Sequence, residues 1–166
     1  MAAVDIAIRR ARRSDLDALG RLGAALLGVH HAFDQARFMA PGHDPAGGYA
    51  WYLGTQLTNR DAAVFVAERH AAVVGYVYAA IEPQSWKELR DEAGFIHDVF
   101  VDEDARRGGV ATALVDTASA WLRDRGMPRV VLWTAHANHA AQRLFAAGGF
   151  RPTMIEMTRE FGNAAR

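Results

Sequence analysis

The chain has 166 residues, 51% of them hydrophobic and 23% charged, which fits one folded domain over residues 1–166 with room for a core and a pocket, and excludes a disordered chain. Lys plus Arg and Asp plus Glu number 19 each, so no whole-molecule field draws in nucleic acid or an anionic membrane, and neither is expected as a partner. The absence of cysteine excludes disulfides, thiolate metal sites and a cysteine nucleophile.

Residues 4–8 alternate apolar with small or polar side chains and read as a short strand ending at Arg9 and Arg10. Ser14 and Asp17 have the spacing of a capping box, which starts a helix whose buried face carries Leu16, Leu19, Gly23, Leu26 or Leu27, and His30. Its periodicity breaks down over residues 28–48, where histidines, aromatics and turn formers mix: His30, Phe33 and Phe38 are candidates to line a substrate pocket, or a loop that covers the core. A second helix is expected over residues 49–57, with Trp51 or Tyr52 and Leu57 facing inward. Residues 62–68 and 73–81 are two apolar runs joined by a short turn around Arg69 to Ala71, an antiparallel hairpin. Residues 82–93, with Pro83 and Trp86 among several charges, read as a loop or helical turn.

A buried strand follows at residues 95–101, then a polar turn and the run Arg106-Arg107-Gly108-Gly109-Val110-Ala111, which opens a helix. The first N–H groups of a helix lack partners within it and point outward with partial positive charge, so a phosphate can accept from several at once. Gly108 and Gly109 let the backbone turn tightly and a ligand oxygen approach. Val110, Leu114, Ala118 and Trp121 share one face of this helix, Gly126 reads as its left-handed cap, and Pro128 cannot continue it. Residues 129–134 form a continuous apolar run typical of a strand buried on both faces and parallel to its predecessor. Asn138 caps a short helix with Ala141, Leu144 and Phe145 inward, stopped by Gly148 and Gly149. Residues 150–161 read as one or two strands split at Pro152.

No apolar run approaches the roughly 18 residues that span a bilayer. The N-terminus lacks the basic start and apolar run of a signal peptide, so a cytoplasmic protein is the expectation. His30 and His31 are adjacent and His136 and His139 three apart, but neither pair has further ligand types at zinc spacing, and no metal is expected.

This order of elements, with its motifs, resembles the GNAT superfamily of acetyl-coenzyme A dependent N-acetyltransferases. Arg106, Gly109 and Ala111 fill that family's signature turn after a strand, and Asn138, Ala141, Phe145, Gly149 and Phe150 fill a second motif after the next strand. The resemblance implies an α/β fold: a mixed central sheet of six to seven strands, flanked by about four helices, with splayed parallel central strands. It also implies acetyl-CoA as cosubstrate, its pyrophosphate on the amides of Arg107, Gly108, Gly109, Val110, Ala111 and Thr112 beside Arg106. Its pantetheine arm would lie along the backbone of Val99, Phe100 and Val101, with Asn138, Ala141 and Phe145 on the other side. The acceptor would be a primary amine, on a small molecule or at a peptide N-terminus, and a homodimer is the analogy such folds offer.

The chemistry then needs a base, because an amine of pKa near ~10.4 is uncharged in only about one molecule in 2,500 at pH 7, a deficit of roughly 4.6 kcal/mol. His97 on the central strand is the candidate, its alternative being a buried histidine satisfied by hydrogen bonds. Strict alternation puts His97 on the same face as Val99 and Asp98 on the opposite one, where an ion pair or a cap suits it. Tyr76, Tyr78 and Glu82 stand in reserve. Many relatives have a tyrosine where Phe145 stands and use it to protonate the departing thiolate; here that proton must come from water, from His97 or from Tyr76 or Tyr78. The rival reading is a slow or non-catalytic acyl-CoA-binding module that acts as a sensor or interaction domain.

Overall fold

The computed structural model describes residues 6–162. In chain order it has β1 (Ala7–Arg10), α1 (Leu16–Phe33), α2 (Pro45–Gln56), the hairpin β2 (Ala62–Arg69) and β3 (Ala72–Glu82), β4 (Ala93–Val101), α3 (Val110–Asp124), β5 (Val130–Leu132) and α4 (His139–Ala147). The strands form one sheet in sequence order, antiparallel from β1 to β4, with β5 parallel to β4. Val4 and Asp5 of the expected first strand lie outside the described residues.

The sheet alternation decides which helix covers which face. Ala63, Phe65, Ala67, Val77, Ala79, Ile96 and Val101 pack with Val110, Leu114, Val115, Ala118 and Leu122 of α3. Val64, Val66, Tyr76, Tyr78 and Ala80 pack on the other face with Leu19, Leu22 and Leu26 of α1 and Leu53 of α2. Fully burying one such aliphatic side chain stabilises the fold by about 1.5–3 kcal/mol. The hairpin turns at His70 and Ala71, with φ of 50° and 62°, as a two-residue turn requires to follow the strand twist.

Two glycines set how close α2 comes to α1. A Cβ on Gly20 would stand 2.4 Å from the Ala46 carbonyl oxygen, and one on Gly23 would stand 2.1 Å from the Tyr49 ring. The helix α2 starts at Pro45, earlier than the sequence pattern suggests, because the Asp44 carboxylate accepts from the Gly47 N–H at 2.9 Å. Leu53 is its fully buried residue and Leu57, just past its end, packs half-buried on the same cluster as expected, whereas Trp51 is 73% exposed and Tyr52 40%, contrary to expectation. At the start of α1 the acid that reaches back is Asp15, not Asp17: its carboxylate accepts from the Arg12 N–H at 2.7 Å and from Arg9 at 2.8 and 2.9 Å. That arginine also donates to Glu68 at 2.8 Å, tying β1 and β2 to the helix start.

Three expectations change at the far edge of the sheet. Among the described residues there are five strands, not six or seven, because residues 151–162 form no strand and stand exposed. The segment's alternation has no partner ladder to complete among the described residues. The run 129–134 yields only the three half-buried residues of β5, and Trp133 is 68% exposed. Parallel pairing of β4 with β5 covers Gly94 with Val130, Phe95 with Val131 and Ile96 with Leu132, and stops there. From His97 onward β4 parts from its neighbour, the splay expected of the two parallel strands.

Candidate functional site

The pairing of β3 with β4 shifts at one point: Tyr78 opposes Asp98, the next residue Ala79 opposes Ile96, and His97 is the extra residue of a bulge. A bulge breaks the two-residue alternation. His97 therefore stacks on Phe95, ring centroids 5.5 Å apart, and lies 5.1 Å from the Tyr78 ring, on the α1–α2 side of the sheet. Asp98 accepts from the Tyr76 hydroxyl at 3.0 Å on that same side. Val99 packs on the α3 side. The expectation that His97 shares a face with Val99 and opposes Asp98 is thus overturned, because strict alternation fails at the extra residue.

His97 Nε2 lies 2.7 Å from Glu82 Oε1, both side chains about one-third exposed, at 31% and 34%. A carboxylate only accepts, so the proton on this bond belongs to Nε2 and the imidazole lone pair is left on Nδ1. Tyr78 donates to Gln56 Oε1 at 3.2 Å, and burial holds its phenol above the ordinary range, so it stays protonated near neutral pH. Burial likewise raises the Asp98 carboxyl, against the pull of the Tyr76 hydrogen bond. The Tyr76 and Tyr49 phenols are raised first by burial and then by the Asp98 charge.

Tyr49 was absent from the residues that sequence alone singled out. Its signal was indirect: a glycine in a helix interior at position 23 marks where a large side chain from a neighbour comes close. The structure brings His30, Phe33 and Phe38 together, the His30 ring 6.1 Å from Phe33 and 5.1 Å from Phe38. His30 Nδ1 donates to the Leu26 carbonyl at 2.9 Å, which fixes the ring.

On the other side of the splay, the N-terminus of α3 follows one turn of 3-10 helix at Glu103–Ala105. Gly109 is its cap at φ 76°, with no side chain to satisfy the first amides, and Arg107 is also left-handed at φ 62°. The first helical bond runs from Ala113 N–H to the Gly109 carbonyl at 3.0 Å. Among the described residues, the backbone amides of residues 107–112 have no acceptor. The Arg106 side chain is occupied: Nε donates to the Val101 carbonyl at 2.9 Å and the guanidinium lies over Phe100. Asp102 N–H donates to Val74 on β3, so antiparallel alternation turns the N–H groups of Val101 and Val99 the other way, into the splay. Arg21 holds Asp102 through a two-bond ion pair at 2.8 and 2.9 Å, which fixes the strand end where the turn begins.

Asn138 caps α4, its side chain accepting from the Ala141 N–H at 3.1 Å. Ala141 is half-buried, and Phe145 is buried on the α3 side with its ring edge-on to Phe150. A surface depression of about 370 Å³, bordered by Arg10, Asn59 and Arg60, holds none of these residues. No helix among the described residues is long and apolar enough to cross a membrane.

The model of the acetyltransferase (GNAT) family matches residues 28–150. Human N-acetyltransferase 8 is similar at 36% identity over 97 residues, 58% of this chain and 42% of that protein. A mycothiol acetyltransferase of Cellulomonas flavigena is 32% identical over 128 residues, 74% of this chain and 32% of that protein. The chain thus spans less than half the length of either relative. Among solved structures, a predicted acetyltransferase of Clostridium acetobutylicum, crystallised with acetyl-CoA, superposes with a TM-score of 0.72 at 16% identity over 93% of this chain and 96% of that one, a likeness of fold.

Proposed function

The chain belongs to the acetyltransferase (GNAT) family, and from that premise we propose that it transfers an acetyl group from acetyl-CoA to a primary amine by direct attack. The observation that carries this reading is the run of acceptor-free amides over residues 107–112, next to the stretch of β4 that β5 leaves uncovered. The donor set suits a diphosphate: several N–H groups on a helix N-terminus, with no side chain at Gly108 or Gly109 to obstruct an oxygen. The amides of Val99 and Val101 then suit the carbonyls of an extended arm, and α4, capped by Asn138 and with Ala141 half-buried, would flank it from the other side.

His97 acts as the base through Nδ1, and Glu82, which touches only the imidazole, positions it. The amine nitrogen forms a bond to the thioester carbon, the C–S bond breaks, and the amine proton passes to His97. Charge on the carbonyl oxygen during attack is met by a strand N–H of the splay. Phe145 offers no proton to the thiolate, so the proton is returned by His97 or by water; Tyr78, held by Gln56 and with its phenol raised, is the weaker donor. His30, Phe33 and Phe38 form an aromatic wall on the acceptor side, suited to the body of an amine substrate.

Acetyl-CoA binds the folded state and should raise the melting temperature, and Gly109→Leu should remove that rise, because a leucine cannot hold φ near 76° without strain. A rise unchanged in the variant refutes the turn as the phosphate site. His97→Ala should lower kcat by about 10²–10⁴-fold with the acetyl-CoA response intact. Thiol release that stays slow with every amine offered, in the presence of tight acetyl-CoA binding, would favour the sensor reading that Phe145 keeps open.

A further inference from the structure

Two acids stand on the α1–α2 side of β3 and β4. Glu82 is matched by His97, but none of the ion pairs among the described residues includes Asp98. The neighbours of Asp98 are hydroxyls: Tyr76 donates to it at 3.0 Å, and the Tyr49 phenol lies near enough to feel its charge. Hydroxyls replace only part of the hydration that an anion loses on burial, so the ionised group costs stability where it stands. The residue is half-buried and keeps some exposure to solvent. Aromatic rings run from this carboxylate to the proposed base. Centroid to centroid, Tyr49 lies 6.3 Å from Tyr52, Tyr52 lies 5.9 Å from Tyr78, and Tyr78 lies 5.1 Å from His97. Tyr52, in the middle of the row, is exposed.

An uncompensated anion at one end, rings between and a base at the other complement an aliphatic chain with a cation at its far end. Ring faces attract an ammonium and its neighbouring methylenes, and a carboxylate holds it by charge-assisted hydrogen bonds. We infer that Asp98 binds a second ammonium group of the acceptor, which makes the preferred acceptor a diamine, one nitrogen held at Asp98 while the other meets His97. The inference rests on the acetyl-transfer reading for the role of His97, and on the carboxylate and the row of rings for the cation. Glu82 does not compete, because His97 Nε2 occupies it at 2.7 Å. The bound cation favours the ionised carboxylate and offsets the cost of burying it. The nitrogen at His97 gives up its proton and takes the acetyl group. The nitrogen at Asp98 keeps its proton and its charge, so the product leaves as a monocation.

Acceptor preference tests this on the full chain. At low ionic strength, 1,4-diaminobutane and 1,5-diaminopentane should each exceed the monoamine of equal carbon number in kcat/KM by about 10–100-fold, the range that a hydrogen bond to a charged group supplies. Asp98→Asn keeps the shape and the acceptor for Tyr76 but removes the charge. It should bring the ratio down to about two, which a second equivalent nitrogen gives by counting alone. A wild-type ratio near two overturns the inference, as does a preference that survives in Asp98→Asn; in both cases the acetylated monoamine still supports the transfer reading. Binding is read separately. Without acetyl-CoA, 1,5-diaminopentane should raise the melting temperature of the wild type more than that of Asp98→Asn. If that difference appears while no amine is acetylated, the cation site stands and the transfer reading fails. An equal response of the two proteins overturns the site.

Discussion

Asp98 is the residue at which charge and burial conflict most directly. Its carboxylate has tyrosine hydroxyls for neighbours and no ion-pair partner among the described residues, and burial raises its pKa above the usual carboxylate range. An acid whose folded pKa is raised binds its proton more tightly folded than unfolded, so its ionised form costs stability above that folded pKa. The cost fades as pH falls through it and is absent below the ordinary carboxylate range, where both states are protonated. Asp98→Asn keeps an acceptor for Tyr76 and removes the charge. Urea melts should therefore find it more stable than wild type at pH 7 and indistinguishable near pH 3, and a loss of stability at pH 7 would refute the sign. His97 shows the contrasting arrangement, one ring nitrogen bound to Glu82 and the other without a partner among the described residues.

At the scale of the element, the seating of α2 on α1 governs what reaches Asp98. The Tyr49 ring occupies the space a Cβ at Gly23 would need. Gly23→Ala should cost about 1–3 kcal/mol by overpacking, read as a shift of the urea midpoint, and should displace the Tyr49 hydroxyl from Asp98. Elements whose signal is local were legible in the sequence. The helix α3 begins where its glycines place it and ends at Gly126, φ 85°, and α4 is capped by Asn138 and stopped before Gly149, φ 86°. Other features were not, because their causes are distant in the chain. Trp51 reads as an inward residue by character, but the glycines of α1 rotate α2 so that Leu53 faces in. The face on which His97 and Asp98 lie depends on one register shift against β3, which no pattern within residues 93–101 announces.

For the whole molecule, the sheet divides the work. The α3 side holds the larger apolar cluster and the free amides, while the α1–α2 side holds the tyrosines, Asp98, Glu82 and His97. The β4–β5 ladder ends at Ile96, between the two sides. A ligand bound there, as proposed for acetyl-CoA, would touch elements of both sides and stabilise the entire fold and not one helix. Acetyl-CoA at 100 times its Kd should add about 2.7 kcal/mol. For a domain of this size that is a rise of about 5–11 °C in Tm, measurable by calorimetry; a rise confined to the local protection of α3 in hydrogen exchange would contradict that coupling. The family architecture was readable from two motifs in order, but the strand count was not, since a segment that alternates correctly still needs an edge to join.

The bulge carries a consequence for how this chain could be remade. Phe95 and Asp98 already lie on one face, Ile96 and Val99 on the other, so excising His97 outright would leave each remaining side chain where it is and restore an uninterrupted pleat. The shortened protein should fold, resist urea at least as well as its parent, keep its response to acetyl-CoA and, on the proposed role of His97, turn over no faster than His97→Ala. One residue more in β4 than in the facing stretch of β3 is what sets the proposed base on the face that holds Glu82.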